Sequence, residues 1–270
     1  MHVTRLSVTP IKGLALSHPP SIDVTDTGAL GDREFYLVGA DDRLVSITKT
    51  GALVGLRASW DADHQVLSIS DSGGVVFTSE ISLGAPHDAN FFEFRQARGR
   101  VVEGDWGQLF SDLAGQPLRL VKADEANGGR DVEPLTLLGD ASSAELARHS
   151  GLDQVDSRRF RMLIEFDGAA PHEEDTWEGR VINVGGAVIV GGGTVQRCAG
   201  TTRNPLTGEI DLRTLTLIGG YRGRQQSIFG TGFNFGVYAT TLTPGRVSVG
   251  DSLTLEDLID DNIPAVAGKV

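Results

Sequence analysis

Cysteine occurs once in 270 residues, at Cys198. One thiol cannot close a disulfide within the chain or build a Cys-rich zinc or iron–sulfur site, so the fold must stand on its core alone, and the cytoplasm is the expected compartment. Long apolar runs are missing as well. No window approaches the roughly 18 apolar residues of a membrane-spanning helix. The opening MHVTRLSVTPIKGLALSHPP has neither the uninterrupted apolar stretch nor the cleavage pattern of a secretory signal, so no membrane partner is expected. Positive charge is also scarce: 24 Lys and Arg against 36 Asp and Glu give a formal net charge of -12. That argues against a nucleic-acid partner, because phosphate contacts need a basic face. It leaves room for a small anion held by a few local arginines. Finally, Gly185-Gly186 and Gly191-Gly192-Gly193 lack the helix that should follow a dinucleotide-binding glycine turn.

Glycine is abundant, with 35 residues that mark many turns rather than long helices. Between the turns, HVTRLSVTPI, REFYLVGA, QVLSISD, GVVFTSEISL, PLRLVKA, RMLIEF, RVINVGGAVIVGG and GRVSVGDSLTLE alternate or run apolar over strand lengths. Two segments read as helices: Trp106 to Gly115, stopped by its glycine, and Ser142 to Gly151, with a serine cap and a second glycine stop. The expected fold is mostly β with a few helices, a barrel or sandwich. The polar stretch Lys122 to Pro134 is expected to cross the surface between two domains, 1–122 and 134–258. Two loops, Ser46 to Gly55 and Ile218 to Asn234, are expected to shape a pocket, the second as a mobile lid or a plain surface loop. The C-terminal DDNIPAVAGKV is expected to fray.

A single cysteine is more often a small buried hydrophobe than a reactive group. The neighbours of Cys198 point elsewhere. Arg197 can favour a thiolate, Gly200 permits close approach of the backbone, Thr201 and Thr202 offer hydroxyls, and Asn204-Pro205-Leu206-Thr207-Gly208 turns the chain back. The run RCAGTTRNPLTGE resembles the signature of the MOSC domain, shared by the C-terminal part of molybdenum cofactor sulfurases and by amidoxime-reducing enzymes. SRRFRMLIEF, EEDTWEG and FGVYATTLTPGRVSVGD resemble further MOSC segments. TPIKGL, GALGDREFYLVGADDRLVSITKTGAL and GDWGQLFSDLAGQPLRLV resemble the β-barrel domain commonly found N-terminal to MOSC.

The resemblance implies an N-terminal β-barrel-like domain followed by a MOSC β-barrel, with a pyranopterin molybdenum cofactor between them. Cys198 would be the metal ligand and catalytic residue, and Lys12, Gly13, Arg33, Arg161, Arg197, Thr201 and Thr202 would bind the cofactor. Pyridoxal phosphate binding is a further association of the family. The implied activity is a molybdenum-dependent oxidoreductase reducing N-hydroxylated or N-oxide small molecules. With no cluster or dinucleotide motif of its own, the chain would take electrons from a separate reductase or small electron carrier. The alternatives are a sulfur carrier or sulfurtransferase using a Cys198 persulfide, and a cofactor-binding module without turnover. Three positions depart from the family pattern: Asp131-Val132-Glu133 carries extra negative charge, Leu163 stands for an asparagine, and Asn204 for an aspartate. Trp177 is expected to be a core aromatic beside a turn.

Overall fold

The computed structural model describes residues 1–258; the stretch expected to fray lies outside the described residues. The chain is mostly β, as expected, with three α-helices among the described residues. A seven-stranded sheet, curled as a half-barrel, runs in the order His2–Leu6, Ile164–Asp167, Leu135–Gly139, Asn234–Thr243, Ala187–Gln196, Arg180–Val184 and Leu253–Leu258. The first strand of the chain thus lies antiparallel to Ile164–Asp167, with Val3 opposite Phe166. Ser21–Thr25 likewise pairs with Gly245–Ser248. The second half of the molecule is therefore built partly from the first thirty residues.

A second body holds the four-stranded sheet Phe35–Gly39, Leu118–Ala123, Arg95–Val102 and Leu83–Phe91, and the three-stranded sheet Arg57–Asp61, Val66–Asp71 and Gly74–Glu80. In Val66–Asp71 the period of two puts Leu67 and Ile69 fully inside. They join Phe35, Leu37, Trp106 and Phe110 in one core. Phe166, Trp177, Ile182, Ile189 and Val237 anchor the other core beneath the seven-stranded sheet. Full burial of an aliphatic or phenyl side chain contributes about 1.5–3 kcal/mol, so each core is a major source of stability. Trp177 is completely buried against Phe166, at 4.9 Å between ring centroids, in keeping with the core role expected of it.

Helix α1, Trp106–Ala114, and helix α2, Asp140–Ser150, end at Gly115 and Gly151 in left-handed conformations that glycine adopts without strain. The start of α2 differs from expectation. Its cap is Gly139 without a side-chain bond, and Ser142 is buried, donating to Glu174 at 2.7 Å and accepting from the His172 amide at 2.8 Å. The segment expected as a lid or loop is instead mostly ordered structure. Helix α3, Thr214–Arg222, takes its beginning, followed by the hairpin Gln225–Ser227 and Gly230–Gly232.

Lys122 to Pro134 also departs from expectation, because it does not simply cross the surface. Asn127, Gly128 and Gly129 are buried. Asn127 donates through Nδ2 to Thr27 O at 2.8 Å and to Pro134 O at 3.3 Å. Arg161, read as a strand residue, instead follows the short helical turn Ser157–Phe160 with φ 53°, and the strand begins only at Ile164.

Candidate functional site

An open-mouthed cavity lies between the two bodies. Its wall includes Lys12, Gly13, Arg33, Arg161, Arg197, Cys198 and Thr201, residues drawn from distant parts of the sequence. Thr202 is absent from the wall; its hydroxyl donates to Ala199 O at 2.6 Å. Thr201 reaches the wall, but its hydroxyl is engaged with Cys198 O at 3.0 Å and Thr214 Oγ1 at 2.6 Å. That pair ties the start of α3 beneath the cysteine. The two threonines therefore shape the cysteine loop rather than present free donors to a ligand.

Cys198 is exposed and follows directly on the strand Ala187–Gln196 and Arg197. Its Sγ lies 3.5 Å from the Thr48 hydroxyl, which belongs to the loop Ser46 to Gly55. The loop beyond the cysteine is clamped to that same loop. Arg203 donates through Nε to Ile47 O at 2.5 Å and through Nη1 to Gly208 O at 2.8 Å. Gly51 and Gly208 meet backbone to backbone: a Cβ on either would lie 2.0 Å from the other's carbonyl oxygen, so neither tolerates a side chain. Gly200 likewise admits the Ile47 side chain, since an added Cβ there would lie 2.8 Å from Ile47 Cγ1.

The cations on the wall fall into two sets. Lys12 is buried and pairs with Asp131 at 2.7 Å, Arg33 pairs with the fully buried Asp32, and Arg159 makes a bidentate bond to Asp211 at 2.7 and 2.9 Å. Arg161 and Arg197 have no carboxylate partner among the described residues. Among the described residues the Arg161 guanidinium donates only to Leu14 O, at 2.7 Å. Arg197 bonds Phe160 O, touches Met162 Sδ at 3.4 Å, and keeps a buried Nε without a partner among the described residues. Desolvation, reinforced by Arg33, pushes the Arg161 guanidinium down to about 10. Desolvation also lowers Arg197, and lowers Lys12 despite its ion pair. Partial desolvation alone would raise the Asp131 carboxyl, but Lys12, Arg33 and Arg197 together hold it below the usual range. Arg161 and Arg197 thus leave positive charge on this wall uncompensated by carboxylates among the described residues, in a chain of formal net charge -12.

The departures at 131 and 204 acquire physical reasons here. Asp131 neutralises Lys12 rather than standing free. Asn204 donates through Nδ2 to Asp211 at 2.8 Å, a bond that an aspartate would replace with repulsion between like charges. Leu163 is buried in the core, so that position offers no polar contact to a ligand.

Sequence reasoning missed Thr48, Asp131 as the partner of Lys12, and Phe92 on the cavity wall. Phe92 and Glu93 adopt φ 56° and 69°, left-handed values that cost non-glycine residues about 1–2 kcal/mol each. Among the described residues no group of three or more His, Cys, Asp or Glu could hold a metal ion.

These features define a class: a two-body, mostly β protein with one exposed thiol in a cationic cavity between the bodies. The chain matches the MOSC N-terminal beta barrel domain over residues 1–117 and the MOSC domain over residues 124–254, and it belongs to the MOSC family. Among solved structures it is similar to the YuaD protein from Bacillus subtilis, at 11% identity and a TM-score of 0.45 over 94% of each chain. It is also similar to YiiM from Geobacillus stearothermophilus, at 15% identity and a TM-score of 0.34 over 66% of this chain and 73% of that one. No curated protein matches the chain. Among the described residues, no helix is long and apolar enough to cross a membrane.

Proposed function

We propose that the cavity binds a pyranopterin molybdenum cofactor with Cys198 as the protein's metal ligand. On this reading the chain is an oxidoreductase acting on N-hydroxylated or N-oxide small molecules, with electrons from a separate reductase or small carrier. The observation that carries the proposal is an exposed lone thiol on the same wall as Arg161 and Arg197, two guanidiniums without a carboxylate partner among the described residues.

The residues fit the group. One soft thiolate cannot hold a metal by itself, so a metal bound here must bring most of its own ligands, as a dithiolene cofactor does. The Nε of Arg197, without a partner among the described residues, and the Arg161 guanidinium, bonded only to Leu14 O there, suit the anionic and hydrogen-bonding parts of such a cofactor. When bound, the cofactor supplies the change of metal oxidation state that oxygen-atom transfer or reductive N–O cleavage requires. The chain's own residues ligate through Cys198, hold the Thr48 hydroxyl beside the sulfur, and orient the anion through Arg161 and Arg197. Lys12 and Asp131 stand on the same wall as a neutral pair.

The test is the molybdenum and pterin content of the chain purified from a host that makes the cofactor, with Cys198→Ala in parallel. Near-stoichiometric metal that is lost in the variant supports the proposal. No molybdenum in either protein overturns it, and a persulfide on Cys198 by mass spectrometry would then establish the sulfur-carrier alternative.

A further inference from the structure

Phe92 is 48% exposed and lines the cavity. It sits at the tip joining Leu83–Phe91 to Arg95–Val102, in the left-handed conformation that bulky residues rarely adopt. The tip is held in place. Glu93 N donates to Asn90 Oδ1 at 2.7 Å, Arg43 pairs with Glu93 at 2.9 Å, and Arg95 donates to Gly128 O at 2.6 Å. Behind Phe92 stands Phe94, nearly parallel, with centroids 5.9 Å apart and planes at 16°. Phe229 packs on Phe94 at 4.7 Å.

Phe229 comes from the tip of the hairpin Gln225–Ser227 and Gly230–Gly232, in the other half of the chain. Side chains of the strands Ala187–Gln196 and Asn234–Thr243 anchor that hairpin. Ser227 Oγ donates to Gln196 Oε1 at 2.6 Å, and Asn234 Nδ2 to Gln226 O at 2.7 Å. Two tips from opposite bodies thus join in one aromatic cluster, Phe92 stacked on Phe94 and Phe229 tilted against it at 51°. Simple hydrophobic closure would bury the whole stack. Here Phe92 on the cavity wall stays 48% exposed and Phe229 38%, with Phe92 on strained backbone, where functional geometry concentrates.

We propose that Phe92, buttressed by Phe94 and Phe229, is the aryl-recognition face of this cavity, and that its small-molecule ligand has a flat unsaturated ring at one end and an anionic or strongly hydrogen-bonding group at the other. The ring continues the stack at the mouth, and the polar end faces Cys198 and the cations. This deepens the functional reading, resting on the cavity's being a ligand site but not on molybdenum.

Because Cys198 is the chain's one thiol, its modification rate reports the cavity directly. The full chain with its thiol free is treated with two anionic reagents, the aryl disulfide dithiobis(nitrobenzoate) and the alkyl sulfonatoethyl methanethiosulfonate. Phe92→Ala should slow the aryl reagent roughly 3- to 10-fold and change the alkyl reagent by less than about twofold, with Phe92→Trp near wild type and Phe229→Ala in between. Unchanged rates, equal changes for both reagents, or faster reaction with either would overturn the proposal, the last showing Phe92 to be only a shield. Equal melting temperatures exclude a folding defect. Loss of the aryl preference in Phe92→Ala with no molybdenum in wild type would sink the functional reading and leave this one standing.

Discussion

Two regions of this molecule desolvate guanidinium groups, and they treat them differently. In the cluster behind α3, Arg222 is almost fully buried and pairs with Asp175, and it also donates to His172 Nδ1 at 2.7 Å. The neutral imidazole completes the arrangement, placing its Nε2 3.0 Å from the Tyr221 hydroxyl. In the cavity, Arg161 and Arg197 are desolvated without any such carboxylate among the described residues. Charge neutralised from within the fold serves the fold. Charge left over costs stability that only a ligand of opposite sign recovers.

Breaking the buried pair tests that comparison most severely. Asp175→Ala should lower the unfolding free energy by about 3 kcal/mol, because it strands a buried cation. Arg161→Met, measured by the same urea denaturation on cofactor-free chain, should change it by less than about 1 kcal/mol or raise it. Similar losses in the two variants would erase the distinction.

Acid should sharpen it. Desolvation, with Arg222 close by, pushes His172 down to about 4 from an ordinary value of 6.5. A histidine held neutral in the fold contributes stability that is present above the unfolded value and is lost as pH falls from 6.5 towards 4. Allowing for partial solvent screening, the loss should be about 1–2 kcal/mol over that window, and His172→Gln should flatten it. A wild-type profile as flat as the variant's would show that the ring does not titrate as assigned.

The smallest expected effect lies at the cavity's own counter-ion. Asp131→Asn frees Lys12 and should tighten binding of inorganic phosphate roughly fivefold, read by calorimetry. Weaker binding would mean that the carboxylate organises the wall instead of competing with the ligand.

Much of this was legible locally. Gly115 and Gly151 close their helices as glycine stops should, and period-two runs such as QVLSISD became strands. The cysteine loop and the basic positions around it were legible through the family resemblance. What escaped detection was non-local or disguised. The strand Leu83–Phe91 contains Pro86 and few apolar residues, and α3 carries Gly219 and Gly220, so neither displays the pattern of its element. Arg161 sits in an apolar-looking run, yet φ 53° takes it out of any strand. The partnerships of Lys12 with Asp131, of Thr48 with Cys198 and of Phe94 with Phe229 join residues far apart in the chain, and local spacing carries no trace of them.

The first strand has a consequence for how the molecule assembles. Arg5 and Glu165 bond across 160 residues of sequence, and Met1 O accepts from Leu253 N at 2.9 Å. Chain synthesis therefore delivers the edge of the seven-stranded sheet long before its partners exist, and loop-closure entropy must be overcome before that edge can dock. Shortening the N-terminus would damage the body that carries the cysteine, and expressing residues 124–254 alone would leave an unpaired strand edge open to aggregation. The sheet of the cysteine-bearing half is complete only once residues near Met1 and Leu253 have met.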